Sequence, residues 1–145
     1  MKPFATVPTQ SSILQVTAED ATTGKYGNSL PAIYFEAGST KLRICNDMNG
    51  TTLACYFGTS ALPMNTFTNI VVAQTLQKAD TYLFTIYING LQVHATTNVD
   101  ARNWKSVTIR THPLWNPANV YMKNLIYKKS LEGEDEEIFL YSIFL

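Results

Sequence analysis

Apolar residues recur along this chain at every second position or in short unbroken runs, and turn-forming residues interrupt them every eight to twelve positions. That spacing predicts short antiparallel strands folded as a sandwich or barrel, and no stretch carries the three-to-four-residue period of a helix. The predicted strands run Ile13 to Thr17, Ala32 to Glu36, Lys41 to Asn46, Thr52 to Gly58, Thr68 to Thr75, Thr81 to Asn89, Leu91 to Thr96, Ser106 to Arg110, Val120 to Lys128 and Ile138 to Leu145. Val, Ile, Thr, Tyr and Phe dominate them, as suits a pleated, half-buried surface.

Two hairpins are written into the local sequence. Asn89-Gly90 lies between alternating runs and asks for a two-residue type I′ turn, because both residues must take positive φ. The simplest register then sets Ile88 against Leu91, Ile86 against Val93 and Phe84 against Ala95 on one face. Leu83, Thr85 and Tyr87 would meet Gln92 and His94 on the other. A valine at Gly90 should therefore cost more than one at Gly38. Asn49-Gly50 marks the second hairpin. A two-residue loop there would set Cys45 against Ala54, whereas a three-residue loop would set Cys45 against Cys55. These are the only cysteines, and their symmetric placement about the turn predicts a cross-strand Cys45–Cys55 disulfide, the alternative being two buried thiols.

With 145 residues the chain is long enough for one domain with its own core. Eleven basic and eleven acidic residues balance, which argues against nucleic-acid binding through bulk charge. The balance hides an asymmetry: residues 1–131 are mildly basic, and Glu132, Glu134, Asp135, Glu136 and Glu137 cancel them from an acidic linker over 132–137. Beyond it, 138–145 is almost wholly apolar and must be buried as a strand of the same fold or of a neighbouring copy. No apolar run is long enough to span a membrane, and the opening residues carry no leader-like apolar stretch. The chain is expected to be a mature or excised domain.

Catalysis lacks its parts. The two histidines, His94 and His112, have no nucleophile and orienting acid at a recognisable spacing, and there is no Gly-x-Ser-x-Gly elbow or phosphate loop. Paired carboxylates alternating along one strand, which a glycosidase needs, are also missing. Two cysteines and two distant histidines cannot build a transition-metal site. Asn49-Gly50-Thr51 is the one N-glycosylation acceptor pattern, and with the cysteine pair it points to a secreted setting.

The ordered segments Tyr26-Gly27-Asn28-Ser29-Leu30-Pro31-Ala32-Ile33-Tyr34-Phe35, Thr68 to Gln74, and Tyr82 to Gly90, followed by Pro113-Leu114-Trp115-Asn116-Pro117-Ala118 and Met122 to Tyr127, resemble concanavalin A-like jelly rolls of the laminin G type. The resemblance covers about residues 12–130 and implies an all-β, two-sheet antiparallel sandwich over residues 1–131, used outside cells for non-catalytic recognition of glycans or proteins. Such domains begin with a strand upstream of Ile13, for which the sequence offers no candidate. They often hold calcium at the sandwich rim; Asp47 and Asn49 in one loop, and Asn98 and Asp100 in another, are the donors the resemblance offers, although Asx residues stabilising turns account for both sets. Glycan sites on such folds pair an aromatic platform with amides and charges. Arg110, His112, Trp115, Asn116 and Asn119 supply these within one loop, with Trp104 in the preceding connection; Trp115 reads equally as a plug closing the core. The His, Asn-Pro-Arg and Trp-Glu pattern of galectins is missing. The leading expectation is glycan binding in adhesion or matrix, with no cofactor beyond that calcium. The alternative is an assembly module that joins another protein or another copy through a sheet edge and the C-terminal strand.

Overall fold

A computed structural model describes residues 1–18, 31–47, 53–78, 81–99, 107–110, 116–122, 125–128 and 140–143. Among them there is no helix, and the strands form more than one sheet, consistent with a β-sandwich. They are β1 (Lys2–Pro3), β2 (Ser11–Ala18), β3 (Ala32–Phe35), β4 (Lys41–Asp47), β5 (Leu53–Ala61), β6 (Ile70–Lys78), β7 (Thr81–Ile88), β8 (Leu91–Val99), β9 (Val107–Arg110), β10 (Asn116–Pro117), β11 (Val120–Tyr121), β12 (Leu125–Lys128) and β13 (Leu140–Ile143). The chain divides into two compact units, each carrying one large sheet.

The unit made of residues 3–65 and 102–120 holds a six-stranded sheet in the order β10-β2-β3-β4-β5, with β9 also on β2. Every pair is antiparallel except β10 with β2, which is parallel and departs from the all-antiparallel expectation. Strand β2 is flanked on both edges, and Ser11 through Thr17 are all buried. Register places Leu14 and Val16, Ile33 and Phe35, and Leu42 and Ile44 on one face. All six are essentially sealed from solvent, so each contributes roughly 1.5 to 3 kcal/mol of apolar burial. The opposite face is also covered: Gln15, Ala32, Tyr34 and Cys45 there are buried.

The unit of residues 1–2, 66–101 and 121–145 holds a five-stranded sheet in the order β12-β13-β6-β7-β8. Ile70, Val72 and Gln74 of β6 and Tyr82, Phe84 and Ile86 of β7 share its buried face. Within the C-terminal apolar run, Leu140–Ile143 form β13, antiparallel to β12 on one side and to β6 on the other. It therefore pairs within its own chain, with both backbone edges used.

Several expectations need correcting. The turn at Asn89-Gly90 has φ of 50° and 80°, as a type I′ turn demands, and Ile88 faces Leu91. One extra residue then enters β8: Tyr87 pairs with Gln92 but Ile86 pairs with His94, Thr85 with Ala95 and Phe84 with Thr96. This bulge moves His94 onto the face of Phe84, whose ring it meets edge-on at 6.1 Å. A strand does precede Ile13: β1 pairs with β11. Met1 is 0% exposed, its ammonium donates to the Thr68 carbonyl at 2.6 Å, and its own carbonyl accepts from Thr68 N at 2.7 Å. The single strand read from Val120 to Lys128 is two, β11 and β12, in different sheets. Gly38 has φ of 63°, so it is as left-handed as Gly90 and cannot serve as the unstrained comparison.

Candidate functional site

The loop singled out by sequence is anchored on β2. Arg110 ends β9 opposite Gln15, and Asn116 opens β10 opposite Ser11, on the same edge of the same strand. The two ends therefore sit four strand positions apart, about 13 Å, on either side of the bulge between Ser12 and Leu14. The return is fixed by hydrogen bonds: Ala118 N donates to the Ser12 carbonyl at 2.8 Å, and Phe4 N to the Asn119 carbonyl at 3.1 Å. Asn116 is exposed, and its Nδ2 donates to Thr9 Oγ1 at 3.1 Å. The structure thus places Arg110 beside the middle of β2 and Asn116 beside its start, on one edge, with Asn119 two residues beyond β10. His112, Trp115 and Trp104 lie outside the described residues.

Across this second face of the sheet, register builds two rows. Ser12, Tyr34, Arg43 and Phe57 form one, and Gln15, Ala32, Cys45 and Cys55 the next. Cys45 and Cys55 are directly opposite and disulfide-bonded, with Cα atoms 4.1 Å apart. The register from Cys45 to Asp47 against Leu53 to Cys55 is the one a three-residue loop at 49–51 requires, although that loop lies outside the described residues. Ala32, Tyr34 and Cys45 pack as a buried cluster with Cys55 against it.

The next pair of the hairpin on this face is Arg43 with Phe57. The guanidinium carbon lies 4.9 Å from the ring centroid, and Nη2 reaches Cys55 Sγ at 3.9 Å, a weak contact. Arg43 Nε is buried with no hydrogen-bond partner. Phe57 is 58% exposed, which makes this the accessible end of its row. Sequence reading passed over both residues. The usable signal was a lone arginine between Leu42 and Ile44, since an alternating strand puts that charge on the face opposite those two apolar side chains.

Of the four candidate calcium donors, two lie among the described residues. Asp47 is the last residue of β4 and Asn98 lies within β8, paired with Tyr82, so both belong to strands rather than to the loops expected. Asn49 and Asp100 fall outside the described residues, as does the acidic linker. Among the described residues no three His, Cys, Asp or Glu side chains are grouped to hold a metal ion. Nor is any helix there long and apolar enough to cross a membrane. A scan against protein-family models, a search of curated proteins and a search of solved structures found no match to the chain.

Proposed function

We propose that the chain is a non-catalytic recognition domain of the laminin G-like, jelly-roll type, and that its ligand is a glycan held by the segment between β9 and β10. The observation that carries this reading is the anchoring of both ends of that segment on one edge of β2. Anchoring both ends of the segment reduces the conformational entropy that binding would have to remove. An aromatic ring for a sugar's apolar face, flanked by amides and a guanidinium, is the composition such a site needs. The disulfide is weakly compatible with a place outside the cell. Testing is direct: on a glycan array the wild type should bind a restricted set of oligosaccharides. Trp115→Ala and Asn116→Ala should lose that binding while keeping the far-ultraviolet spectrum of the wild type. Retained binding in both variants overturns the assignment of the loop.

One observation favours assembly as a second reading. Among the described residues strands β5 and β8 end the orders of their sheets, and neither carries a charged residue or a proline, the devices that ordinarily block edge pairing. Strand β13 is paired on both sides, so assembly by strand addition would use β5 or β8. A mass that rises with concentration in light scattering, and falls on placing a lysine at Thr97, would support it; a concentration-independent monomer would exclude it.

A further inference from the structure

We infer that Cys45 and Cys55 form a thiol–disulfide exchange centre, in which Cys55 is the attacking sulfur, Cys45 the resolving one and Arg43 the charge that stabilises the Cys55 thiolate. The inference stands apart from the glycan reading and uses none of its residues.

Three observations carry it. First, the two sulfurs differ in access. Cys45 is 1% exposed within its cluster, whereas Cys55 is only half-buried and lies on β5, which ends its sheet order among the described residues. A reagent arriving from solvent therefore meets Cys55 first. Second, Arg43 Nη2 stands 3.9 Å from Cys55 Sγ, and its Nε is buried with no hydrogen-bond partner. In the oxidised protein this guanidinium meets a neutral sulfur, a poor acceptor. Reduction turns that sulfur into a thiolate, so the same contact becomes charge-assisted and the reduced form is stabilised. The other titratable residues around Cys55 on this face, among those described, are Cys45 and Asp47 of β4, at the opposite and the following register positions, and Tyr34 of β3 in the cluster. Third, the strands do not depend on the bond for their pairing. The β4–β5 ladder continues on both sides of it, through Asn46–Ala54 and Asp47–Leu53 in one direction and Ile44–Tyr56 and Arg43–Phe57 in the other. After reduction the two thiols are thus held opposite one another, placed to close again.

The partner is a low-molecular-weight disulfide, for which oxidised glutathione is the probe. The Cys55 thiolate attacks one of its sulfurs, a mixed disulfide forms at Cys55, and one glutathione leaves as its thiolate. Cys45 gives its proton to solvent, attacks Cys55 Sγ and expels the second glutathione thiolate. Both released thiolates then take up protons. Two electrons have passed from the cysteine pair to the glutathione pair, and the protein disulfide is restored.

The test uses the full chain, reduced and compared with the oxidised form by far-ultraviolet spectrum. Iodoacetamide labelling is followed from pH 5 to pH 10, with each cysteine read separately by peptide mass spectrometry. Cys55 should label roughly tenfold faster than Cys45 at pH 7, with a midpoint below the ordinary thiol value of about 8.5. In Arg43→Gln that midpoint should rise by about one unit, as the loss of one charge-assisted contact implies, and Arg43→Lys should keep most of the lowering. Oxidised glutathione should return the wild type to its disulfide, and in Cys45→Ala it should stop at a single adduct on Cys55. A midpoint for Cys55 at or above about 8.5 in the wild type overturns the proposal without any variant. So do a reduced chain that has unfolded, equal labelling of the two cysteines, a first adduct on Cys45, or a midpoint that Arg43→Gln leaves unmoved.

Discussion

A Cβ added at Gly38 or at Gly90 would meet no heavy atom within 4 Å, so at both positions the cost of a side chain is backbone strain alone. With φ of 63° and 80°, alanine at either should destabilise by about 1 to 2 kcal/mol, and the two urea midpoints should agree closely. Gly58 differs: its φ is ordinary, but a Cβ would lie 3.1 Å from the Leu42 carbonyl oxygen. Its alanine variant must push β5 away from β4 beside Arg43, and should lower the midpoint through that register shift. Asn89 sits in the left-handed region that Asn tolerates, and its Oδ1 accepts from Asn69 N at 2.9 Å, so the turn residue also ties the hairpin to the start of β6. His94 gives a pH dependence with a definite sign. Loss of hydration on burial holds its pKa below the ordinary 6.5, so the fold favours the neutral ring. Above about pH 6.5 the ring is neutral folded or unfolded, and this contribution is fully present. As the pH falls below that value, the unfolded chain takes up a proton that the folded one resists. Stability then declines until the folded pKa is passed. Urea midpoints measured from pH 8 to pH 5 should fall for the wild type and fall less for His94→Gln; parallel curves would show that His94 is not responsible.

At the scale of elements, the C-terminal strand makes the sharpest claim. Its fate as a strand is readable from sequence, because an apolar run of that length has no stable place in water. Its position is not: insertion between β12 and β6 depends on contacts some seventy residues apart in sequence, and alternation within a strand says nothing about which strand it meets. Deleting residues 140–145 removes the middle of a sheet, leaving β6 and β12 with unpaired edges. The truncated chain should therefore aggregate or unfold on size-exclusion chromatography, and in the full chain amides of Leu140–Ile143 should exchange slowly. Fast exchange across that segment would show the strand unpaired. The bulge in β8 was hidden for a related reason. Asn-Gly determines the first pairs of the hairpin, but an inserted residue leaves the alternation on β7 untouched and shifts only what β7 meets. The missed β1 is two residues long and includes a proline, below anything periodicity can detect.

For the molecule as a whole, fold class follows from period-two patterning spread over nearly the full chain, whereas sheet order, set by non-local pairing, does not. The candidate site divides the same way. The β9–β10 segment was visible because its chemistry is contiguous in sequence. Arg43 and Phe57 were not, because they are fourteen positions apart and become neighbours only through the register of β4 with β5. That register has a covalent reporter. The disulfide links residues ten positions apart, and closing so short a loop in the unfolded chain stabilises the fold by about 2 to 3 kcal/mol in the loop-entropy description. For a chain of this length that corresponds to a fall in Tm of roughly 6 to 12 °C on reduction. Cys45→Ala with Cys55→Ala should show a similar fall, somewhat altered because Cys45 is buried in the cluster with Ala32 and Tyr34 and its loss also removes packing. Thiol titration of the denatured, unreduced protein should find no free thiol. Two thiols, or a Tm indifferent to reductant, would mean that the hairpin is held by its backbone ladder alone and that Arg43 is stacked on Phe57 without a covalent lock.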